Sequence, residues 1–291
     1  VGKNALYSNT TGAENVAVGA NSQDSNTTGL GNISVGGNAL ATNQTGNYNT
    51  AVGRYSLYHS TVGNNEAFGN ATLYTNTTGQ FNIAVGGAAL YANTTGSENI
   101  AIGDEVLRTQ TTASNNTGVG HHALFSNTTG IFNAAFGSNA LDSNTTGNNN
   151  TAIGGHSLGA NTQGGNNVGL GYSALRDNTT GGNNVALGYG ALGDNTTAGN
   201  NTAVGFESLR LNTTGTNNVA VGSEALDGNT AAHGNLAVGY RSLSGANTGS
   251  YNVALGNYSL LVNTSGQYNT SVGESTLYTN TTGSYNVAIS I

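Results

Sequence analysis

The 291-residue chain has no cysteine, proline, methionine or tryptophan. Without cysteine there is no disulfide framework and no thiolate metal site. Charge is scarce too: Asp, Glu, Lys and Arg make up 7% of the residues, against roughly 25% in an ordinary domain. Six Lys and Arg against thirteen Asp and Glu give a net charge of −7. That balance lacks the basic footprint needed to bind nucleic acid or an anionic membrane surface. No apolar run reaches the ~20 residues of a membrane-spanning helix, so membrane insertion is not expected. No secretory leader pattern is visible either, and the chain opens at Val1, as a mature product or an excerpt of a longer protein would.

Glycine is abundant, at 46 residues, and Asn and Thr fill the places charge usually takes. Such bias can signal disorder, but disordered chains are poor in β-branched and aromatic residues. This one carries Val and Ile throughout and 14 Tyr. The bias is also periodic. A marker glycine falls at Gly2, Gly19, Gly36 and Gly53, then at Gly69, and from there every 17 residues to Gly273. Only the step from Gly53 to Gly69 is one residue short. The chain therefore reads as one continuous array, 1–291, of 17 copies with no separate domains and no capping repeats.

With the marker glycine as position 0, the pattern is G-x-x-A-L-x-x-N-T-T-G-x-x-N-V-A-V. Position 4 is Leu in every copy but one, where Gln23 replaces it. Position 13 is always Asn, position 15 is Ala, Ser or Gly, and position 16 is Val, Ile, Leu or Phe. N-V-A-V is one β-prone run and x-A-L-x a second, and Gly and N-T-T-G supply turns between them. One copy buries too little to fold alone, whereas stacked copies place Leu on Leu and Val on Val in a continuous core. The expected fold is all-β: a single-chain β-solenoid of 17 coils, 17 residues per coil, with two short strands per coil. Leu40, Leu57, Leu90, Leu124 and Leu158 are expected in its core, with Val85, Ile153, Val204 and Val238. The constant Asn suits an internal ladder through Asn15, Asn32, Asn49, Asn82, Asn99 and Asn133, continuing at Asn150, Asn184, Asn218, Asn252 and Asn286, because an unpaired buried amide costs about 1–3 kcal/mol. In N-V-A-V the outer two residues face one way and the Ala the other. The expectation is that Val lines the core and the Ala stripe faces a second chain.

The runs Asn15-Val16-Ala17-Val18-Gly19, Asn99-Ile100-Ala101-Ile102-Gly103 and Asn218-Val219-Ala220-Val221-Gly222 resemble the head repeats of trimeric autotransporter adhesins. The segment from Asn178 to Gly188, N-T-T-G-G-N-N-V-A-L-G, is similar to the arrays of phage tail-fibre-like and secreted proteins, which often precede an endosialidase-type chaperone domain. The resemblance covers the whole chain and implies β-solenoid fibres used as shafts or for attachment. It also implies an extracellular, cell-surface or virion location. Adhesin head repeats are usually shorter than 17 residues, and no chaperone domain or membrane anchor is recognisable here.

Candidate chemistry is sparse. Glu207 and Glu224 share position 2 in adjacent coils, and Asp177 and Asp194 share position 6. A carboxylate pair about 5 Å apart would suit a retaining glycosidase. Arg241, Arg176 and Arg210 at neighbouring register positions favour plain charge rows instead. His122 and His156 lie two coils apart, too far to share a metal. No catalytic, cofactor or metal site is assigned, and the chain does not read as an enzyme. Tyr58, Tyr74 and Tyr91 at position 5, Tyr172, Tyr189 and Phe206 at position 1, and Tyr251, Tyr268 and Tyr285 at position 12 form aromatic rows. Such rows stabilise stacked coils or bind sugar rings of a cell-surface glycan. The Thr rows at positions 8 and 9 could order ice. Asn-Thr-Thr also matches the glycosylation acceptor, with Asn9, Asn26, Asn76, Asn93 and Asn127 as N-linked candidates and Thr10, Thr27 and Thr94 as O-linked ones. The reading is a structural module of an extracellular or virion-borne fibre that self-associates laterally or head to tail. The alternative is a carbohydrate- or ice-binding solenoid.

Overall fold

The computed structural model describes residues 2–290. They form a β-solenoid with one three-residue strand per coil, β1 (Val16–Val18) to β17 (Val287–Ile289), and no helix. The chain divides into two compact units, Val1–Gly147 and Asn148–Ile291. In the first, each of the strands β1 to β8 pairs with the next; in the second, β9 (Thr151–Ile153) to β17 do the same. All these pairs are parallel and in strict register, with Val16 beside Ile33 and Val185 beside Thr202. The single-residue deletion does not shift the register, since Thr50 still pairs with Glu66. Val62 takes the place of the turn glycine, and its carbonyl accepts the Asn49 amide at 2.8 Å as a Gly carbonyl does elsewhere.

The expected second strand is absent. Around x-A-L-x, positions 2 and 4 both have positive φ, as at Asn38 (57°) and Leu40 (51°), while position 3 does not. Two left-handed residues separated by one of ordinary hand break the pleat, yet the backbone still bonds to the coils on both sides. The Asn38 N–H reaches the Ala20 carbonyl of the preceding coil at 2.9 Å, and the Leu40 N–H reaches the Ser56 carbonyl of the following coil at 3.0 Å. A left-handed non-glycine residue costs roughly 1–2 kcal/mol. Every coil accepts that cost at position 4, and from Leu40 to Leu260 the complete burial of the side chain opposes it. A third left-handed residue recurs at position 12, for example Asn183 and Tyr268.

The marker glycine answers two demands together. At Gly36, φ is 142°, and an added Cβ would lie 2.5 Å from the Gly53 carbonyl oxygen of the next coil. No L side chain satisfies both, which explains why position 0 never varies between Gly2 and Gly273.

The core places Leu40, Leu57, Leu90, Leu124 and Leu158 at zero exposure, as the repeat implies. The strand corrects the rest of that expectation. Its middle residue points inward: Ala51, Ala84, Ala101, Ala186 and Ala220 are fully buried. Its outer residues point to solvent, so Val85, Ile153, Val204 and Val238 are not core residues. Ile153 is 39% exposed and Val238 37%, while Val85 and Val204 are half-buried. The physical reason is room. Leu from the opposite wall fills the narrow interior and leaves space for a methyl group only. Where the opposite wall carries a larger residue, the strand gives more space still: Val106 faces Gly118, and an added Cβ at Gly118 would lie 2.5 Å from Val106 Cγ1. The Leu-to-Gln exception is matched likewise, because Gln23 Nε2 donates to the Ser34 hydroxyl at 2.8 Å in the strand opposite.

Two columns of buried Asn complete the interior. At position 13 the Asn15 carbonyl accepts the Asn32 backbone N–H at 2.9 Å, while Asn32 Nδ2 donates to the Gly46 carbonyl at 2.8 Å. The same pattern recurs along the column, through Asn49, Asn82, Asn99, Asn133 and onward to Asn167, Asn184, Asn218, Asn252 and Asn286. Most of these bonds tie a side chain to the backbone of the following coil. Amide-to-amide bonds join only some neighbours, such as Asn99 to Asn82 at 3.0 Å.

Candidate functional surfaces

The outward sheet face is the first candidate. Position 16 is apolar in every coil, from Val18 to Ile289. Position 14 adds Val, Ile, Leu, Ala and five Thr, and its one charge is Glu66. Parallel sheets are normally covered on both faces. Here Ile33, Ile102, Phe136, Leu170 and Leu187 all keep 39–42% exposure. The eighteen outward side chains of β9–β17 offer on the order of 1,000 Å² of accessible surface, against the few hundred Å² of a monomer's usual apolar patch. Burial raises the pKa of Glu66 above its ordinary value of 4.5. The repeat predicts a two-sided strand with its Ala stripe outward, whereas the Ala stripe is the buried face and the larger residues are outward.

The glycosylation candidates are corrected by the second Asn column, at position 7. Asn26, Asn76, Asn93 and Asn127 are fully buried, and Asn9 is half-buried. The Nδ2 that would carry a glycan already donates twice, as at Asn93: to Asn76 Oδ1 at 2.8 Å and to the Gly96 carbonyl at 2.9 Å. Gln110 replaces Asn in one coil and carries the column onward, accepting from Asn127 at 3.0 Å, while Asn93 Oδ1 on its other side has no partner. Asn247, displaced by one residue, does the same, accepting from Asn263 at 3.0 Å. The hydroxyls of Thr10, Thr27 and Thr94 donate to backbone carbonyls of the next coil at 2.9–3.0 Å. With the position-8 hydroxyls so engaged, the Thr-Thr pair presents one exposed row, at position 9, not the two-dimensional lattice of hydroxyls that ice recognition would use.

The carboxylates form charge rows with Arg. Glu207 lies 3.5 Å from Arg210, and Glu224 lies 3.3 Å from Arg241. Arg176 donates to both oxygens of Asp177, at 2.8 and 2.6 Å, and to Asp194 at 3.2 Å. These bonds hold the Asp177 carboxyl below its usual range and push the Arg176 guanidinium up. His122 binds Glu105 at 2.9 Å, and His233 Nδ1 accepts the Thr216 N–H at 3.0 Å. Among the described residues no three His, Cys, Asp or Glu side chains gather as a metal site, and no helix is long and apolar enough to cross a membrane.

All three aromatic rows stack. Centroids are 5.4 and 5.3 Å apart through Tyr58, Tyr74 and Tyr91, and 5.1 Å through Tyr251, Tyr268 and Tyr285. Tyr172, Tyr189 and Phe206 stack at 5.7 and 5.4 Å with planes 14° and 11° apart. Tyr172 and Tyr189 of this last row line a surface groove of about 680 Å³ in the second unit. The groove exists because one coil lacks side chains where its neighbours have them: Gly190 stands at position 2 and Gly193 at position 5. Arg176, Asp194 and Arg210 form the opposite wall. Row counting finds the ladder but not the groove; its signal was two glycines in one coil at positions that carry side chains in both neighbouring coils.

Comparison of the chain with protein-family models, curated proteins and solved structures finds no match.

Proposed function

We propose that the chain is a structural repeat module of an extracellular or virion-borne fibre, packing laterally against further copies of itself through the outward Val/Ile face. One observation carries this reading: an in-register, nearly uncharged apolar sheet face that is left open. Its area matches the ~800 Å² that each partner contributes to a standard interface. A second copy is the partner favoured by composition, because the same face is repeated coil after coil and can meet its own kind in register.

Negative-stain microscopy tests the reading. The module should appear as laterally paired or bundled particles, and bundling should vanish when Val219, Val221, Val253 and Leu255 are all changed to Thr. Single, unpaired particles of the unaltered chain at micromolar concentration would contradict it.

A further inference from the structure

We propose that the groove over Gly190 and Gly193 binds a neutral pyranose unit of a glycan. The site stands on its own residues and does not depend on the fibre reading.

The groove differs from the rest of the surface in three ways. Its floor is backbone: at Gly190 an added Cβ would meet nothing nearer than Glu207 Cγ at 3.5 Å. Bulk could therefore be accommodated at Gly190, so packing alone does not demand glycine here. The gap is nonetheless open where Ser173 and Glu207, at the same position in the adjoining coils, carry side chains. One wall is aromatic. Tyr172 and Tyr189 line it and are each 51% exposed. Tyr189 stacks between Tyr172 and Phe206 with planes 14° and 11° apart, and about half of each tyrosine stays exposed to solvent. The other wall alternates donors and acceptors. Asp194 sits between two guanidiniums, 3.2 Å from Arg176 and 3.9 Å from Arg210.

That combination selects a ligand class. A pyranose has apolar C–H faces that pack on aromatic rings and hydroxyls that both donate and accept. A mixed Arg–Asp wall meets such hydroxyls, and the phenol groups of Tyr172 and Tyr189 add two more polar positions. An anion fits less well. Both guanidiniums are already paired, Arg176 with Asp177 and Asp194 and Arg210 with Glu207, so neither is free to take up an anion. The volume lies within the range of small-molecule sites, ~300–1,000 Å³.

Saturation-transfer NMR on the full chain tests this, with methyl β-galactopyranoside, methyl β-glucopyranoside and methyl α-mannopyranoside as neutral probes and glucuronate as the anion. At least one neutral probe should receive saturation at its ring C–H protons, with glucuronate weaker. Gly190→Asn refills the groove with the residue that Asn21, Asn38 and Asn139 already place at this position in the same left-handed backbone. Tyr189→Ala removes the aromatic wall from outside and leaves the core intact. Each should weaken binding about tenfold or more, with far-ultraviolet circular dichroism unchanged. No transfer to any neutral probe would overturn the proposal. So would binding that survives both changes in folded variants, or glucuronate binding more tightly than all three pyranosides.

Discussion

The two faces of each strand carry opposite chemistry. Inward, Ala186, Ala203 and Ala220 are sealed from solvent; outward, Val185, Leu187 and Val221 retain 36–41% exposure. Hydrophobicity alone would reverse this, putting the larger apolar residues inside. Size decides it instead. The interior is one Leu deep, and the strand can contribute only a methyl group before the two walls collide. The larger β-branched residues are left outside, where they stiffen the strand.

That contrast can be broken residue by residue. The largest effect is expected from the wall that fills the interior. Leu175→Ala should cost about 2–5 kcal/mol of unfolding free energy, read from urea denaturation. Asn184→Ala comes next, at about 1–3 kcal/mol for each group left unpaired. It strands the Asn201 N–H, which donates to Asn184 Oδ1 at 3.0 Å, whereas the Ala198 carbonyl loses Asn184 Nδ2 at 2.9 Å but keeps Asn195 Nδ2 at 3.0 Å. Ala186→Val should cost about 1–3 kcal/mol by overpacking, whereas Val185→Ala on the same strand should fall within about 0.5 kcal/mol. Equal costs for these two would contradict the inside-outside assignment.

The smallest effect concerns the one charge on the outward face. Burial raises the Glu66 pKa, so the folded state favours its protonated form. Stability should therefore rise as pH falls through the raised value toward 4.5 and should be least above it. Asp177 acts in the opposite sense: its lowered pKa contributes stability that is lost on acidification. Glu66→Gln should flatten the first trend and leave the second. A melting temperature of Glu66→Gln that tracks the parent at every pH between 4 and 8 would count against it.

Much of this was legible in the pattern. The 17-residue period, the buried Leu column and the position-13 Asn column all follow from positions that vary little from copy to copy, and each is where the repeat places it. Other features left no mark. Leu at position 4 looks like a strand residue, and nothing in its identity announces a left-handed backbone; only coil-to-coil hydrogen bonding imposes it. The position-7 Asn column was hidden by its likeness to a glycosylation acceptor. Gln110 was the clue, because a glycosylation site has no reason to be replaced by the other amide side chain, whereas a hydrogen-bond column does. The facing of Val and Ala required the width of the interior, which no single coil encodes.

The most direct test of the outward face is sedimentation velocity of the unaltered chain beside a variant carrying Val185→Thr, Leu187→Thr, Val219→Thr and Val221→Thr. The account predicts that the unaltered chain sediments as an oligomer of its 29.1 kDa mass. The variant should sediment as a monomer with the same circular dichroism and melting temperature. A monomeric parent, or a variant that loses its fold instead of its association, would contradict it.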